Sequence, residues 1–89
     1  AVLYQLARAY EADQQIEKSL ATLDRMVRQY PQSRYLDEAQ FRRGEMLFSA
    51  QRWVDAQGAY AAVIQIGPRS DFYEQSLYKH GWALFKQGD

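Results

Sequence analysis

The stretch Tyr35-Leu36-Asp37-Glu38-Ala39-Gln40-Phe41-Arg42-Arg43-Gly44 returns 37 residues later as Phe72-Tyr73-Glu74-Gln75-Ser76-Leu77-Tyr78-Lys79-His80-Gly81. Aromatic, acidic, small, basic and glycine positions all fall in register. The same interval separates Ala7 from Gly44, Gly44 from Gly81, Pro31 from Pro68, and the pair Leu47-Phe48 from Leu84-Phe85. A fixed period in this range marks an array of supersecondary units, each too small to bury its own apolar face.

Within each period the apolar spacing is helical. Leu3, Leu6, Ala7 and Tyr10 form one stripe, and Ile16, Leu20, Leu23, Val27 and Tyr30 form the next. In the second copy Phe41, Gly44, Leu47 and Phe48 precede Trp53, Ala56, Tyr60, Val63 and Ile64. Charged residues such as Lys18, Asp24, Arg25 and Arg28 occupy the opposite faces, as expected of half-buried helices. Pro31 and Pro68 end helices. Ser33 and Ser70 follow as expected N-caps, with Asp37, Glu38, Asp71 and Glu74 placed to complement the positive helix N-terminus. The pattern predicts an all-α chain of five helices near 1–12, 15–30, 34–50, 52–66 and 71–87, joined by short connectors that make neighbours antiparallel. The corresponding repeats run over 1–33, 34–70 and, incomplete, 71–89.

Composition narrows the function classes. The chain has 89 residues, 47% of them apolar, 11 acidic and 11 basic side chains, and no cysteine. Balanced charge argues against a nucleic-acid or anionic-membrane footprint, and the short, interrupted apolar runs give no transmembrane segment. Disulfides and Cys-based zinc sites are excluded. His80 is the only histidine, so a metal site would be built mostly from carboxylates. Ser76 and His80 stand at helical spacing, yet no oxyanion hole or orienting group accompanies them. No catalysis, cofactor or metal is expected. Arg42, Arg43 and Lys79 are basic, but Glu38, Glu45 and Glu74 lie close enough in sequence to neutralise them. The chain opens directly in an amphipathic pattern at Ala1-Val2-Leu3 and stops at Gly88-Asp89, which suggests a piece of a longer protein.

These residues resemble the tetratricopeptide repeat. That family sets a large apolar residue, Leu, a small residue and an aromatic along its first helix, then small, aromatic and small residues and a closing Pro along its second. Here the first copy reads Leu3, Leu6, Ala7, Tyr10, then Ser19, Leu23, Met26, Pro31. The second reads Gly44, Leu47, Ala56, Tyr60, Val63, Pro68, and the third Leu77, Gly81, Leu84. The family period is about 34 residues. The longer period with a Pro-x-Ser-x-aromatic lead-in is similar to repeats of bacterial envelope proteins, such as Tol-Pal-associated periplasmic proteins and the lipoprotein of the outer-membrane assembly machine. Gln14 and Gln51 stand in the inter-helix turn where the family often has Gly, and Arg43 and His80 stand where it has Leu.

The resemblance implies a short right-handed superhelix that binds a protein or peptide in a concave groove, within a periplasmic or envelope complex. Groove positions carried over from the family are Tyr4, Arg8 and Glu11 in the first copy, Phe41, Glu45, Phe48 and Ser49 in the second, and Tyr78, Trp82, Phe85 and Lys86 in the third. Tyr4, Phe41 and Tyr78 recur at one period, as do Phe48 and Phe85, so an aromatic ladder along the groove is expected. Trp82 stands out because the repeat puts Arg8 and Glu45 at its position. A second reading is a purely structural spacer, with self-association through the last helix, whose Leu77, Leu84 and Phe85 lack a covering second helix.

Overall fold

The computed structural model describes residues 1–88. It contains five helices, α1 (Val2–Ala12), α2 (Ile16–Gln29), α3 (Leu36–Ser49), α4 (Trp53–Ile66) and α5 (Tyr73–Gly88), with no strand among the described residues. Each helix starts and ends within about two residues of the sequence expectation. Asp89, which the sequence reading puts in the third repeat, lies outside the described residues.

The two tight turns explain why α1 pairs with α2 and α3 with α4. Gln14 and Gln51 both adopt left-handed backbone, with φ of 59° and 62°. Around Gln14, the Gln15 N–H donates to the Tyr10 carbonyl and the Gln14 N–H to Glu11, both at 2.9 Å. Around Gln51, Arg52 donates to Leu47 at 2.9 Å and Gln51 to Phe48 at 3.0 Å. This paired pattern is the Schellman helix ending, in which the left-handed position normally belongs to glycine. Glutamine holds it here at a steric cost of about 1 kcal/mol per turn.

The proline corners repeat as well. Ser33 N–H donates to the Tyr30 carbonyl (3.0 Å) and Ser70 N–H to Gly67 (3.1 Å). Ser33 Oγ and Ser70 Oγ accept from the N–H groups two residues on, Tyr35 and Phe72, both at 3.1 Å. The serines therefore close the turn that leads into each helix rather than capping the helix itself. Tyr35 is the cap residue of α3 and makes no side-chain cap. A serine hydroxyl satisfies the nearer i+2 amide in such turns. Ser70 Oγ also donates to Asp37 Oδ2 at 2.6 Å, tying the second corner to the first turn of α3.

The core runs through Tyr4 and Ala7 of α1, Leu20, Leu23 and Met26 of α2, Ala39, Met46 and Leu47 of α3, and Ala56, Ala59 and Tyr60 of α4. Packing density at the α3–α4 crossing depends on Gly44. A Cβ placed there would lie 2.7–2.9 Å from Cε1, Cδ1 and Cζ of the Tyr60 ring. Only a missing side chain lets that fully buried ring approach the helix backbone so closely.

Candidate functional site

The predicted groove residues divide into two groups. In the first two repeats Tyr4 and Phe41 pack between repeats, whereas Phe48 packs within its own. Tyr4 is buried and stacks on Tyr35 with centroids 5.6 Å apart and planes 14° from parallel. Its hydroxyl donates to Glu38 and accepts from Arg42 Nε at 2.9 Å. Burial first, then the hydrogen bond given to Glu38, raises the Tyr4 pKa, against the lowering effect of Arg42 and Arg8. Phe41 stacks on Phe72 at 5.0 Å and meets the Tyr60 edge at 6.0 Å. Phe48 abuts Trp53 edge-on at 4.9 Å, under the Lys79 ammonium at 4.2 Å. In both cases the lead-in aromatic of the next repeat, Tyr35 or Phe72, covers the ladder ring 31 positions before it. The expected ladder is therefore not a continuous open surface, because its first two rungs are the joints between repeats.

The polar groove positions behave similarly. Glu45 Oε1 accepts the Tyr60 hydroxyl at 2.6 Å and lies 3.5 Å from Lys79 Nζ, so it links α3, α4 and α5. Burial, then this hydrogen bond and the Glu45 charge, pushes the Tyr60 pKa far above the ordinary phenol value. Glu11 pairs with Arg42 at 3.7 Å, and Arg43 reaches Asp24 at 3.8 Å. The basic residues are thus neutralised, though Arg42 and Arg43 find their carboxylates on α1 and α2 rather than at the expected Glu38 and Glu74. Arg8 is exposed above the Tyr4 ring at 5.9 Å, Ser49 is exposed at the end of α3, and Lys86 lies over Trp53 at 5.7 Å. Ser76 is fully buried and its hydroxyl has no hydrogen-bond partner among the described residues, so it makes no hydrogen bond to His80.

The third-repeat rings are different. Tyr78, Trp82 and Phe85 are 67%, 40% and 58% exposed. They form a ridge of edge-to-face contacts, Tyr78 to Trp82 at 6.3 Å and Trp82 to Phe85 at 5.6 Å, and with Gly81 they line an open apolar hollow of about 310 Å³. Leu77 and Leu84 extend the apolar face. The sequence singled out Trp82 but gave no sign that Tyr78 would differ from Tyr4 and Phe41.

The architecture is an all-α helical repeat whose last described helix exposes Leu77, Tyr78, Trp82, Leu84 and Phe85. The tetratricopeptide repeat family model matches residues 1–33, the first helix pair and the corner after it. No curated protein and no solved structure matches it.

Proposed function

We propose that this chain is a non-catalytic protein-interaction module that holds its partner on the aromatic face of α5, as part of a bacterial envelope complex. Tetratricopeptide repeats generally mediate protein–protein interaction. The observation that carries the assignment to α5 is the adjacency of Tyr78, Trp82 and Phe85 around Gly81, three exposed rings on one helix face. Aromatic side chains give large contact area for little lost side-chain entropy and dominate interface energetics. Tyr4, Phe41 and Phe48 support the scaffold beneath, and Glu45 fixes α5 to it through Lys79. The envelope assignment rests on the 37-residue period and its Pro-x-Ser-x-aromatic corners.

Photo-crosslinking tests the reading. A benzophenone amino acid at position 85 is expected to capture a discrete protein in cells that make this chain. The same probe at the exposed Val54 on α4 is expected to capture none. Equal yields from both positions, or capture only from Val54, would refute it.

A further inference from the structure

Arg28, Arg42, Arg43 and Arg52 each hold a carboxylate within 3.8 Å. Arg8, Arg25, Arg34 and Arg69 have no ion pair among the described residues. Two of these uncommitted arginines come together. Arg34 and Arg69, both exposed, line one cleft of about 440 Å³ between the first proline corner and the second. The repeat dictates neither of them, since the position of Arg34 holds Asp71 one period on and the position of Arg69 holds Gln32 one period before. The cleft is walled by residues of segments 31–37 and 66–70, which the Ser70 hydroxyl ties together at Asp37. Its opening is therefore set by two corners inside the sequence and not by either end of it.

Internal hydrogen bonds leave this cleft rich in unspent donors. Asp37 is the one carboxylate among its lining residues, and both of its oxygens are occupied. Oδ1 accepts the Glu38 N–H at 2.8 Å and Oδ2 accepts the Ser70 hydroxyl at 2.6 Å. Ser70 is spent as well, because its oxygen accepts the Phe72 N–H. Ser33 differs: its oxygen accepts the Tyr35 N–H, and its own proton remains to be given. Arg34 gives one N–H to the Tyr35 hydroxyl at 3.2 Å and lies over that ring at 5.2 Å. The guanidinium is thus held in place with most of its fork unused, so less freedom is lost when it binds a planar acceptor. Pro31, Leu36 and Ile66 supply an apolar wall beside these groups.

We infer that this cleft is a second interaction surface, which takes an acidic peptide segment of a partner protein, with a side-chain carboxylate at Arg34 and Arg69 and a neighbouring apolar side chain against Pro31, Leu36 and Ile66. The charge complementarity selects the occupant: two guanidiniums without a carboxylate face a site whose own acid is already hydrogen-bonded. This goes beyond the α5 reading and does not rest on it. A nucleic acid fits poorly, because 11 basic side chains are balanced by 11 acidic ones and no extended basic stripe surrounds the cleft. A second copy of these 89 residues is also a poor source. Its one pair of adjacent acids, Asp37 and Glu38, is engaged inside the fold by Ser70 and Tyr4.

The probe is a short acetylated and amidated peptide that alternates glutamate with leucine, compared with the same peptide carrying glutamine for glutamate. Titration into the 89-residue chain, followed by amide NMR shifts, is expected to move Ser33, Arg34, Arg69 and Ser70. The glutamate peptide should bind at least about tenfold more tightly than the glutamine peptide, as charge-assisted pairing to arginine requires, and added salt should reduce the difference. Arg34→Gln with Arg69→Gln should abolish the preference, whereas Arg25→Gln on α2 should keep it. Circular dichroism should be unchanged in both, since all three side chains are exposed. Equal affinity of the two peptides, a preference that survives the double substitution, or shifts confined to other parts of the chain would overturn the proposal. So would inorganic phosphate producing the same shifts at the same concentration, which would make the cleft a general anion site. A dimer in sedimentation that the double substitution dissociates would give the cleft to a second copy and overturn it too. None of these outcomes bears on the position-85 crosslink, so the two readings stand or fall separately.

Discussion

Replacing Gly44 by alanine should destabilise the protein, although alanine is the better helix former. In an open helix interior the exchange gains about 0.5–1 kcal/mol. At Gly44 the new methyl would lie 2.7 Å from Tyr60 Cε1 and 2.9 Å from Cδ1 and Cζ, closer than carbon atoms approach. The ring has little freedom to move: it is fully buried, Phe41 lies against its edge, and its hydroxyl is bound to Glu45 at 2.6 Å. Overpacking of this kind costs about 1–3 kcal/mol. The net expectation is a loss of about 1–2 kcal/mol, a fall of roughly 4–8 °C in Tm for each kcal/mol in a domain of this size. Gly81→Ala, at the same repeat position, should instead raise stability by about 0.5–1 kcal/mol, because a Cβ there would meet nothing within 4 Å among the described residues. The first repeat supplies the rescue. It carries Ala7 with Leu23, so Tyr60→Leu in the Gly44→Ala background should recover much of the loss, with a coupling of about 1 kcal/mol or more. Urea denaturation followed by far-UV circular dichroism measures all four variants. Gly44→Ala at or above wild-type stability, or an additive double mutant, would refute the reasoning.

Three further outcomes are expected. Ser76 is buried with an unpartnered hydroxyl where the second repeat has the fully buried Ala39, so Ser76→Ala should add about 1 kcal/mol to the urea-derived stability; a loss would show that the hydroxyl is satisfied. Gln51→Gly removes the left-handed penalty in the α3–α4 turn, offset by the chain entropy of glycine, and should raise stability by about 0.5 kcal/mol, whereas Gln51→Ala should bring no gain. Tyr60 and Tyr4 have raised folded-state pKa values, so their protonated forms contribute stability in full below the unfolded phenol value of about 10. That contribution is lost as pH rises from there through the folded values. Melting curves should therefore show Tm falling above pH of about 10, less steeply in Tyr60→Phe; an unchanged slope would remove Tyr60 from the account.

The helices and their pairing were legible because period, proline corners and apolar spacing all point the same way. Gln14 and Gln51 stood out as departures from glycine, and the structure shows that they hold the left-handed position regardless. The aromatic positions were less legible. Tyr4, Phe41 and Tyr78 are equivalent in sequence, yet Tyr4 and Phe41 are stacked by Tyr35 and Phe72, 31 positions on, while Tyr78 is 67% exposed among the described residues. Ring type records apolarity but not the neighbour that covers it. Glu45 was assigned to the groove by its position, yet its partners are a buried tyrosine on α4 and a lysine on α5, both distant in sequence. Ser33 and Ser70 sat near the right place for caps, but their hydroxyls found the closer turn amides.

The most direct test of the central claim is hydroxyl-radical footprinting of the chain, first free and then in the complex with the partner captured from position 85. In the free chain Tyr78, Trp82 and Phe85 should oxidise rapidly while Tyr4 and Tyr60 stay protected, as their exposures require. In the complex the three α5 rings should become protected, with the exposed Tyr30 unchanged. Protection at Tyr30 or Arg8 while Tyr78, Trp82 and Phe85 remain reactive would contradict the assignment of the interaction surface to α5.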